Sequence, residues 1–276
     1  MNQAVLQLLR CPNCHTKFTP TIDGKSCYCS GKRRHCFDFS KSGYLNLVGS
    51  QMKEGDSKEA IQARTLFLES GFYQPLADEI CSILRKIPSE YLLDAGCGEG
   101  YYTNQFAADG REVLGVDLSK SGIDYAARRA KKRQNGVGFA VASLFDLPVG
   151  DSSLDVVTNL FAPCAEEEFL RVLKPEGHLL LIGAGKNHLM GLKRAVYDQP
   201  YQNEGRSDLP KAMEKIHSSQ LHYEISLNSS EQIKALFSMT PYYWRTSLKD
   251  RLRLDELQTL TTELEFDIFL FRKGPQ

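Results

Sequence analysis

Residues 92–103 read LLDAGCGEGYYT, and residues 113–119 read VLGVDLS. The first stretch is an apolar run that ends at Asp94 and continues into three alternating glycines. This pattern is typical of a buried parallel strand followed by a loop that brings the backbone close to a ligand. The second stretch is a strand that ends at Asp117, whose carboxylate can accept hydrogen bonds from both hydroxyls of a ribose. Together they predict a nucleotide-type site, and the acidic residue before the glycines favours a cationic ligand.

The two motifs resemble those of the S-adenosylmethionine-dependent methyltransferases with a Rossmann-like fold, in which an acidic residue precedes GxGxG and another ends the next strand. A glycine-rich turn that only packs a strand against a helix is the alternative, but the position of Asp117 favours a cofactor site. In open parallel sheets the ligand lies beyond the carboxyl ends of the strands. We therefore expect Glu99 along the methionine part of S-adenosylmethionine (SAM), Asp117 at the ribose and Ser143 beside the adenine. The cofactor-binding residues predicted in this way are Asp94, Gly96, Gly98, Glu99, Asp117 and Ser143.

The composition is that of an ordinary globular protein. The chain has 276 residues, of which 42% are hydrophobic and 25% charged, enough for one sizeable core and a small additional module. No run approaches the roughly 20 apolar residues that span a bilayer, and the first residues lack the pattern of a secretion signal. We therefore expect a cytoplasmic protein with no membrane partner.

Cysteines concentrate at the start of the chain. The cluster consists of Cys11, Cys14, Cys27, Cys29, His35 and Cys36. In a cytoplasmic chain, a CPxC knuckle followed about fifteen residues later by a second group of Cys and His is typical of one tetrahedral zinc ion, not of disulfides. Free thiols are the alternative. A segment this short buries too little apolar surface to fold alone, so we expect zinc to stabilise a module with its own core.

The two signals together resemble the ribosomal RNA large-subunit guanine-N1 methyltransferases, which carry an N-terminal zinc ribbon ahead of a Rossmann-like domain. The matching blocks are CPNC at 11–14, HCFDFSKSGYLNL at 35–47, GDSKEAIQARTLFLESGFYQPL at 55–76, DAGCGEGYYT at 94–103, FAPC at 161–164 and MTPYYWR at 239–245. The resemblance runs over nearly the whole chain. It implies methyl transfer from SAM to N1 of a guanine in a hairpin of 23S ribosomal RNA, and it places Tyr73 and His188 at the cofactor site.

The first pair of zinc ligands is Cys11 and Cys14, and the second pair can be assigned in more than one way. The family pattern is CxxxH, whereas here Gly31 stands where the cysteine would be. We favour Cys29 and His35, which make a longer CxxxxxH spacing, and Cys27 or Cys36 remains an alternative for one place.

The ribbon is also basic. Residues 1–56 hold eight Lys or Arg and four Asp or Glu, a net charge of +4 in a chain whose formal net charge is zero. The loop Lys32-Arg33-Arg34, which lies between the proposed ligands of the second pair, is a candidate contact for RNA phosphates. A solvated charged face is the alternative.

The catalytic residues are unknown, and the candidates are Asn159, Phe161 and Trp244. Guanine N1 carries a proton at neutral pH, so methyl transfer requires a base or a group that stabilises the developing charge. Asn159 or the Ala162 carbonyl could hold the base edge, and Phe161 could stack on the ring. Trp244 could line a pocket for a flipped base or pack in the core. Glu166 and Glu167 are candidates for the base, and the alternative is that they are first-turn acids favoured by the helix dipole.

The predicted fold class is α/β: a Rossmann-like SAM-dependent methyltransferase with a mostly parallel seven-stranded sheet and a small N-terminal zinc ribbon. We expect a zinc-ribbon RNA-recognition module at 1–45, a helical connector that contributes to the cofactor site at 46–89, and the methyltransferase domain at 90–276. Asp56 and Ser57 would begin the first connector helix. The chain could form a homodimer. The alternatives are a small-molecule methyltransferase whose ribbon is a lid or oligomer contact, and a non-enzymatic RNA-binding protein.

Overall fold

The computed structural model describes residues 1–49, 58–107 and 110–275. The predicted helix start at Asp56 and Ser57 lies outside these ranges, and that helix is described from Lys58 onward. The strands are β1 (Phe18–Pro20), β2 (Ser26–Cys29), β3 (Cys36–Asp38), β4 (Leu45–Asn46), β5 (Tyr91–Ala95), β6 (Glu112–Asp117), β7 (Gly138–Val141), β8 (Leu154–Leu160), β9 (Leu173–Ala184), β10 (Glu214–Leu227) and β11 (Leu260–Arg272). The helices are α1 (Gln3–Leu8), α2 (Lys58–Glu69), α3 (Gln74–Arg85), α4 (Thr103–Phe106), α5 (Lys120–Arg133), α6 (Glu166–Val172), α7 (Met190–Val196), α8 (Ser230–Ser238) and α9 (Leu248–Leu252), with short 3-10 turns at Tyr243–Arg245 and Arg253–Glu256.

The described strands form a three-stranded sheet, β1-β2-β3, and an eight-stranded sheet in the order β10-β11-β9-β8-β5-β6-β7-β4. In the large sheet β11 runs antiparallel to both of its neighbours, β9 and β10, and the other described pairs are parallel. The seven strands from β5 to β11 confirm the predicted fold class. The short strand β4 adds an eighth member by pairing in parallel with β7 through Leu45↔Ala140 and Asn46↔Val141.

The two faces of the large sheet bury different parts of the chain. Successive side chains of a strand point to opposite faces, so Leu92 of β5 joins one buried cluster and Leu93 the other. The first cluster is covered by α2, α3, α4, α5, α7 and α8. The second is covered by α6 and by the N-terminal segment, including α1 and the ribbon.

The expectation that the zinc ribbon has a core of its own is wrong. Leu9, Cys11 and Phe18 belong to the same buried cluster as Leu93 and Val116 of the central sheet. Backbone contacts reinforce the attachment, because Arg10 N donates to Pro148 O at 2.8 Å and Gly150 N donates to Leu8 O at 3.0 Å. The sheet face supplies the apolar area that so short a segment lacks by itself.

None of the helices in the described part of the chain has the length and apolar character that a membrane crossing requires.

A Leu9→Ala variant tests the shared core. Leu9 is fully buried, so its truncation should lower the free energy of unfolding of the whole chain by about 2–5 kcal/mol, the usual cost of removing a large core side chain. Urea unfolding followed by circular dichroism measures it. The control is Ile22→Ala, because Ile22 is an apolar ribbon residue that is fully exposed. If Leu9→Ala unfolds at the same urea concentration as the control, the ribbon does not contribute to the common core.

Candidate functional site

Four side chains of the ribbon converge on one point. The ligand atoms of Cys11, Cys14, Cys29 and His35 all lie within 4.8 Å of one another. Cys14 Sγ is 3.5 Å from Cys29 Sγ, and His35 Nδ1 is 3.5 Å from Cys11 Sγ and 3.4 Å from Cys29 Sγ. A tetrahedral zinc ion with Zn–S of about 2.3 Å and Zn–N of about 2.0–2.1 Å separates its ligand atoms by roughly 3.5–3.8 Å. The donor set and its spacing therefore fit one zinc ion.

The local backbone explains why the longer second knuckle still closes. Cys29 ends β2, and His35 N donates to Cys29 Sγ at 3.2 Å, which folds the basic loop back on itself. A Cβ on Gly31 would lie 3.0 Å from Cys14 Sγ, so a side chain at this position would crowd the cluster. The glycine leaves this space open, and the sulfur comes from Cys29, two residues earlier.

The two alternative ligands lie outside the cluster. Cys27 is fully buried in the apolar cluster beneath the ribbon, and burial raises the pKa of its thiol to about 12. Cys36 is exposed on β3. The Lys32-Arg33-Arg34 loop is exposed as well, and the Arg34 guanidinium lies 5.1 Å from the centre of the Tyr28 ring.

The predicted cofactor site begins at Asp94, which holds the start of the glycine loop, residues 96–100, in place. Its carboxylate is buried and accepts hydrogen bonds from Thr103 Oγ1 at 2.5 Å and from Thr158 Oγ1 at 2.9 Å. Burial raises the pKa of Asp94 to about 6, although the two threonines favour the charged form. Both oxygens are thus engaged by α4 and β8, which suits a residue that positions the loop.

The glycine loop lies too close to its neighbours to carry side chains at two positions. Gly96 has φ +84°, and a Cβ there would meet the Ala162 Cβ at 2.5 Å. Gly98 has φ +54°, and its Cβ would lie 3.3 Å from the Arg64 Nη2 atom. Because such backbone angles are strained for other residues, glycine at these places lets the loop turn and pack closely against Ala162 and Arg64.

Asp117 and Ser143 lie at the same end of the sheet. The Asp117 carboxylate accepts from Gly98 N at 2.9 Å and from Ser119 N at 2.7 Å. A carboxylate has about four acceptor positions, so these bonds orient the group towards the loop and are compatible with a ribose diol. Ala142 N donates to Asp117 O at 3.1 Å, which brings Ser143 beside Asp117. The arrangement fits SAM.

The predicted residues Tyr73 and His188 also meet. Tyr73 Oη lies 3.4 Å from His188 Nε2, and both side chains are buried against the Phe266 ring. Burial lowers the pKa of His188 to about 4, so the imidazole is neutral. Its Nδ1 accepts from Glu265 N at 3.2 Å, which places the proton on Nε2, where it can be donated to Tyr73.

The carboxamide of Asn159 is committed to the protein. Asn159 is fully buried, and its Nδ2 donates to Ala95 O at 3.0 Å and to Pro163 O at 3.2 Å. Its Oδ1 accepts from Arg206 Nη2 at 2.5 Å, and the same nitrogen donates to Ala162 O at 2.7 Å. The expectation that Asn159 or the Ala162 carbonyl holds the base edge therefore requires a correction: both groups shape the FAPC loop.

Phe161 remains exposed at that loop. Its φ is +55°, a conformation uncommon for a non-glycine residue, and its side chain is 48% exposed. The ring meets Phe266 edge-on at 5.8 Å. An aromatic ring presented in this way can stack on a planar base.

The remaining candidates are less informative. Trp244 falls in the 3-10 turn Tyr243–Arg245, and its side chain lies outside the described part of the structure. The neighbouring Tyr242 and Tyr243 pack against Phe237, with ring centres 6.0 and 5.4 Å apart.

Glu166 accepts from Lys211 N and Ala212 N at 2.6 and 2.7 Å, so it stabilises the segment before β10.

Two arginines at this end of the sheet were missed by the sequence analysis. Arg206 lies in the irregular segment 197–213, where no periodic pattern marks it. Arg64 pairs with Glu99 at 2.7 Å. A signal for Arg64 did exist, since it lies in the block 55–76 that carries the family resemblance.

Comparisons with known proteins agree with this geometry. The family model described as "Methyltransferase domain" matches residues 93–181, and the zinc-ribbon model described as "RlmA, N-terminal" matches residues 9–56. The putative 23S rRNA (guanine-N(1)-)-methyltransferase YxjB of Bacillus subtilis is 30% identical over 96% of this chain and 97% of its own length. The 23S rRNA (guanine(748)-N(1))-methyltransferase of Streptomyces fradiae is 29% identical over 71% of this chain and 70% of its own.

Among solved structures, the YcgJ protein of Bacillus subtilis superposes with a TM-score of 0.50 at 16% identity, over 72% of this chain and 98% of that chain, which supports the fold alone. The near full-length relation to YxjB shows the family. The chain therefore belongs to the family of 23S rRNA (guanine-N1)-methyltransferases, in which an RlmA-type zinc ribbon precedes a SAM-dependent methyltransferase domain.

Proposed function

We propose that this protein transfers the methyl group of SAM to N1 of a guanine in a hairpin of 23S ribosomal RNA. The observation that carries the proposal is the 30% identity to YxjB over 96% of the chain, ribbon included. A small-molecule substrate is not favoured, because the family relation extends through the ribbon to residue 9. The proposal places the protein in the cytoplasm with its RNA and is compatible with a homodimer.

The cofactor would supply an electrophilic methyl group on a sulfonium. We assign Asp117 to the ribose, Ser143 to the adenine side, and Gly96, Gly98 and Glu99 to the methionine side. Direct methyl transfer gains most from alignment of the two reacting atoms and from exclusion of water.

On the acceptor side we assign Phe161 to stacking on the guanine. Glu166 accepts two backbone N–H groups and Asp208 accepts from Cys164 N at 2.7 Å and from Arg206 Nε at 2.8 Å. Since these two carboxylates are engaged, we assign alignment of the base, and not proton abstraction by an acidic residue, to the FAPC loop. The proton displaced from N1 would then pass to solvent water.

Methylation of defined RNA tests the function. A transcript of a 23S ribosomal RNA hairpin, incubated with the protein and labelled SAM, should yield 1-methylguanine after nuclease digestion and mass spectrometry. Asp117→Ala should lower incorporation, and Glu112→Ala, at the opposite end of β6, should not. Methylation at a different guanine atom, or label that enters only small molecules of a cell extract, would contradict the proposal.

We further propose that Cys11, Cys14, Cys29 and His35 hold the single zinc ion. Cys29→Ser should release the metal, because a serine hydroxyl is a poor zinc ligand, whereas Cys36→Ser should retain about one zinc per chain. Elemental analysis after dialysis gives the count. Retention by Cys29→Ser together with loss from Cys36→Ser or Cys27→Ser would reassign the second pair.

The ribbon, residues 1–45, is the part we assign to RNA. Replacement of Lys32, Arg33 and Arg34 with Ala should weaken hairpin binding and flatten the dependence of log affinity on log salt by up to about three units. The matched control removes the same charge elsewhere: Lys131, Lys132 and Arg133 form the exposed last turn of α5. Filter binding across a salt series compares the two triple variants. Equal effects would mean that net charge, and not the ribbon loop, sets the affinity.

A further inference from the structure

The guanidinium of Arg64, on α2, lies against the glycine loop. Arg64 Nε pairs with Glu99 Oε2 at 2.7 Å. The Nη2 atom of the same guanidinium lies 3.3 Å from the position that a Cβ on Gly98 would take. The side chain of Arg64 is 24% exposed, whereas that of Glu99 is 4% exposed. Glu99 therefore holds the guanidinium against the loop beside Gly98.

The charged side chains of the loop, residues 96–100, and of the strand-end residues 94 and 117 are negative. Asp94, Glu99 and Asp117 all belong to the loop or to the strand ends beside it, and the charges of Asp117 and Glu99 add to burial in raising the pKa of Asp94. This field suits the sulfonium and the ammonium of SAM. It repels the carboxylate at the methionine end, which therefore requires a positive partner.

We propose that Arg64 binds the carboxylate of the methionine end of SAM, through the guanidinium nitrogens beside Gly98, while Glu99 holds its Nε. The inference rests on the proposed function only in taking SAM as the ligand. Arginine suits the role because its planar guanidinium can serve one carboxylate through Nε and another through its Nη atoms. The pairing gives α2, and hence the connector, a direct part in cofactor binding.

Two ligands separate this role from support of the loop. S-adenosylhomocysteine carries the amino-acid end, and 5′-methylthioadenosine shares the adenine, ribose and thioether but lacks that end. By titration calorimetry, Arg64→Gln should weaken S-adenosylhomocysteine binding about 10- to 100-fold, the range of a lost charge-assisted contact, and leave 5′-methylthioadenosine affinity unchanged. Arg64→Lys, which keeps the charge, should recover part of the lost affinity. Asp117→Ala should weaken both ligands, because both contain the ribose.

The matched control is Arg129→Gln. Arg129 lies on α5 and pairs with Glu69 at 3.2 Å, so its replacement also removes an ion-paired arginine, and both affinities should stay the same. Thermal melts without ligand establish that each variant is folded, and Arg64→Met, which also removes the charge, serves in place of Arg64→Gln if the latter unfolds. Unchanged S-adenosylhomocysteine affinity in the Arg64 variant, or an equal loss for both ligands, overturns the proposal. Wild-type protein that binds neither ligand overturns the proposed function as well, so the two failures are distinguishable.

Discussion

The buried carboxylate of Asp94 is the contact on which the cofactor end of the sheet depends. It ties β5 to α4 through Thr103 and to β8 through Thr158, and the glycine loop starts one residue after the strand. Burial of this carboxylate has a cost: it raises the pKa of Asp94 to about 6, although the two threonines lower it, so the folded state binds this proton more tightly than the unfolded chain. The contribution of Asp94 to stability is therefore largest at low pH and is lost as the pH rises through about 6. The benefit of this destabilising burial is a glycine loop whose geometry is fixed at neutral pH.

The zinc ribbon depends on two interactions, metal binding and apolar packing on the central sheet. Zinc would order the knuckles around Cys11 and Cys29, but apolar packing of Leu9 and Phe18 on the central sheet attaches the ribbon. The short strand β4 strengthens the attachment at the sheet edge beside β7. Metal and sheet therefore stabilise the same segment, so the orientation of the basic loop relative to the cofactor site is defined by packing as well as by the metal.

The cofactor loop could be predicted because the residues that mark it lie close together in sequence. The acceptor side could not, because its contacts join residues that are far apart in sequence. The glycines, Asp117 and the zinc ligands Cys11 and Cys14 are marked by spacing within a few residues. Asn159 was assigned to the substrate because nothing nearby in sequence shows that its partner is Arg206, 47 residues downstream. Strand β10 carries no local signal either, because most of its residues are exposed and form no apolar run. Strand β11 beside it is apolar, so its own sequence marks it as a strand.

The acceptor side of the site is built from two segments that are far apart in sequence. A left-handed backbone at Phe161 costs of the order of 1–3 kcal/mol and persists only where neighbours over-determine it. Arg206 provides this constraint, since it binds the side chain of Asn159 before Phe161 and the carbonyl of Ala162 after it. Asp208 neutralises the buried guanidinium and accepts from Cys164 N, which closes the far end of the loop. The contacts that fix the surrounding backbone thus account for the exposure of the Phe161 ring. The ring's own contact with Phe266 leaves half of it open to a ligand.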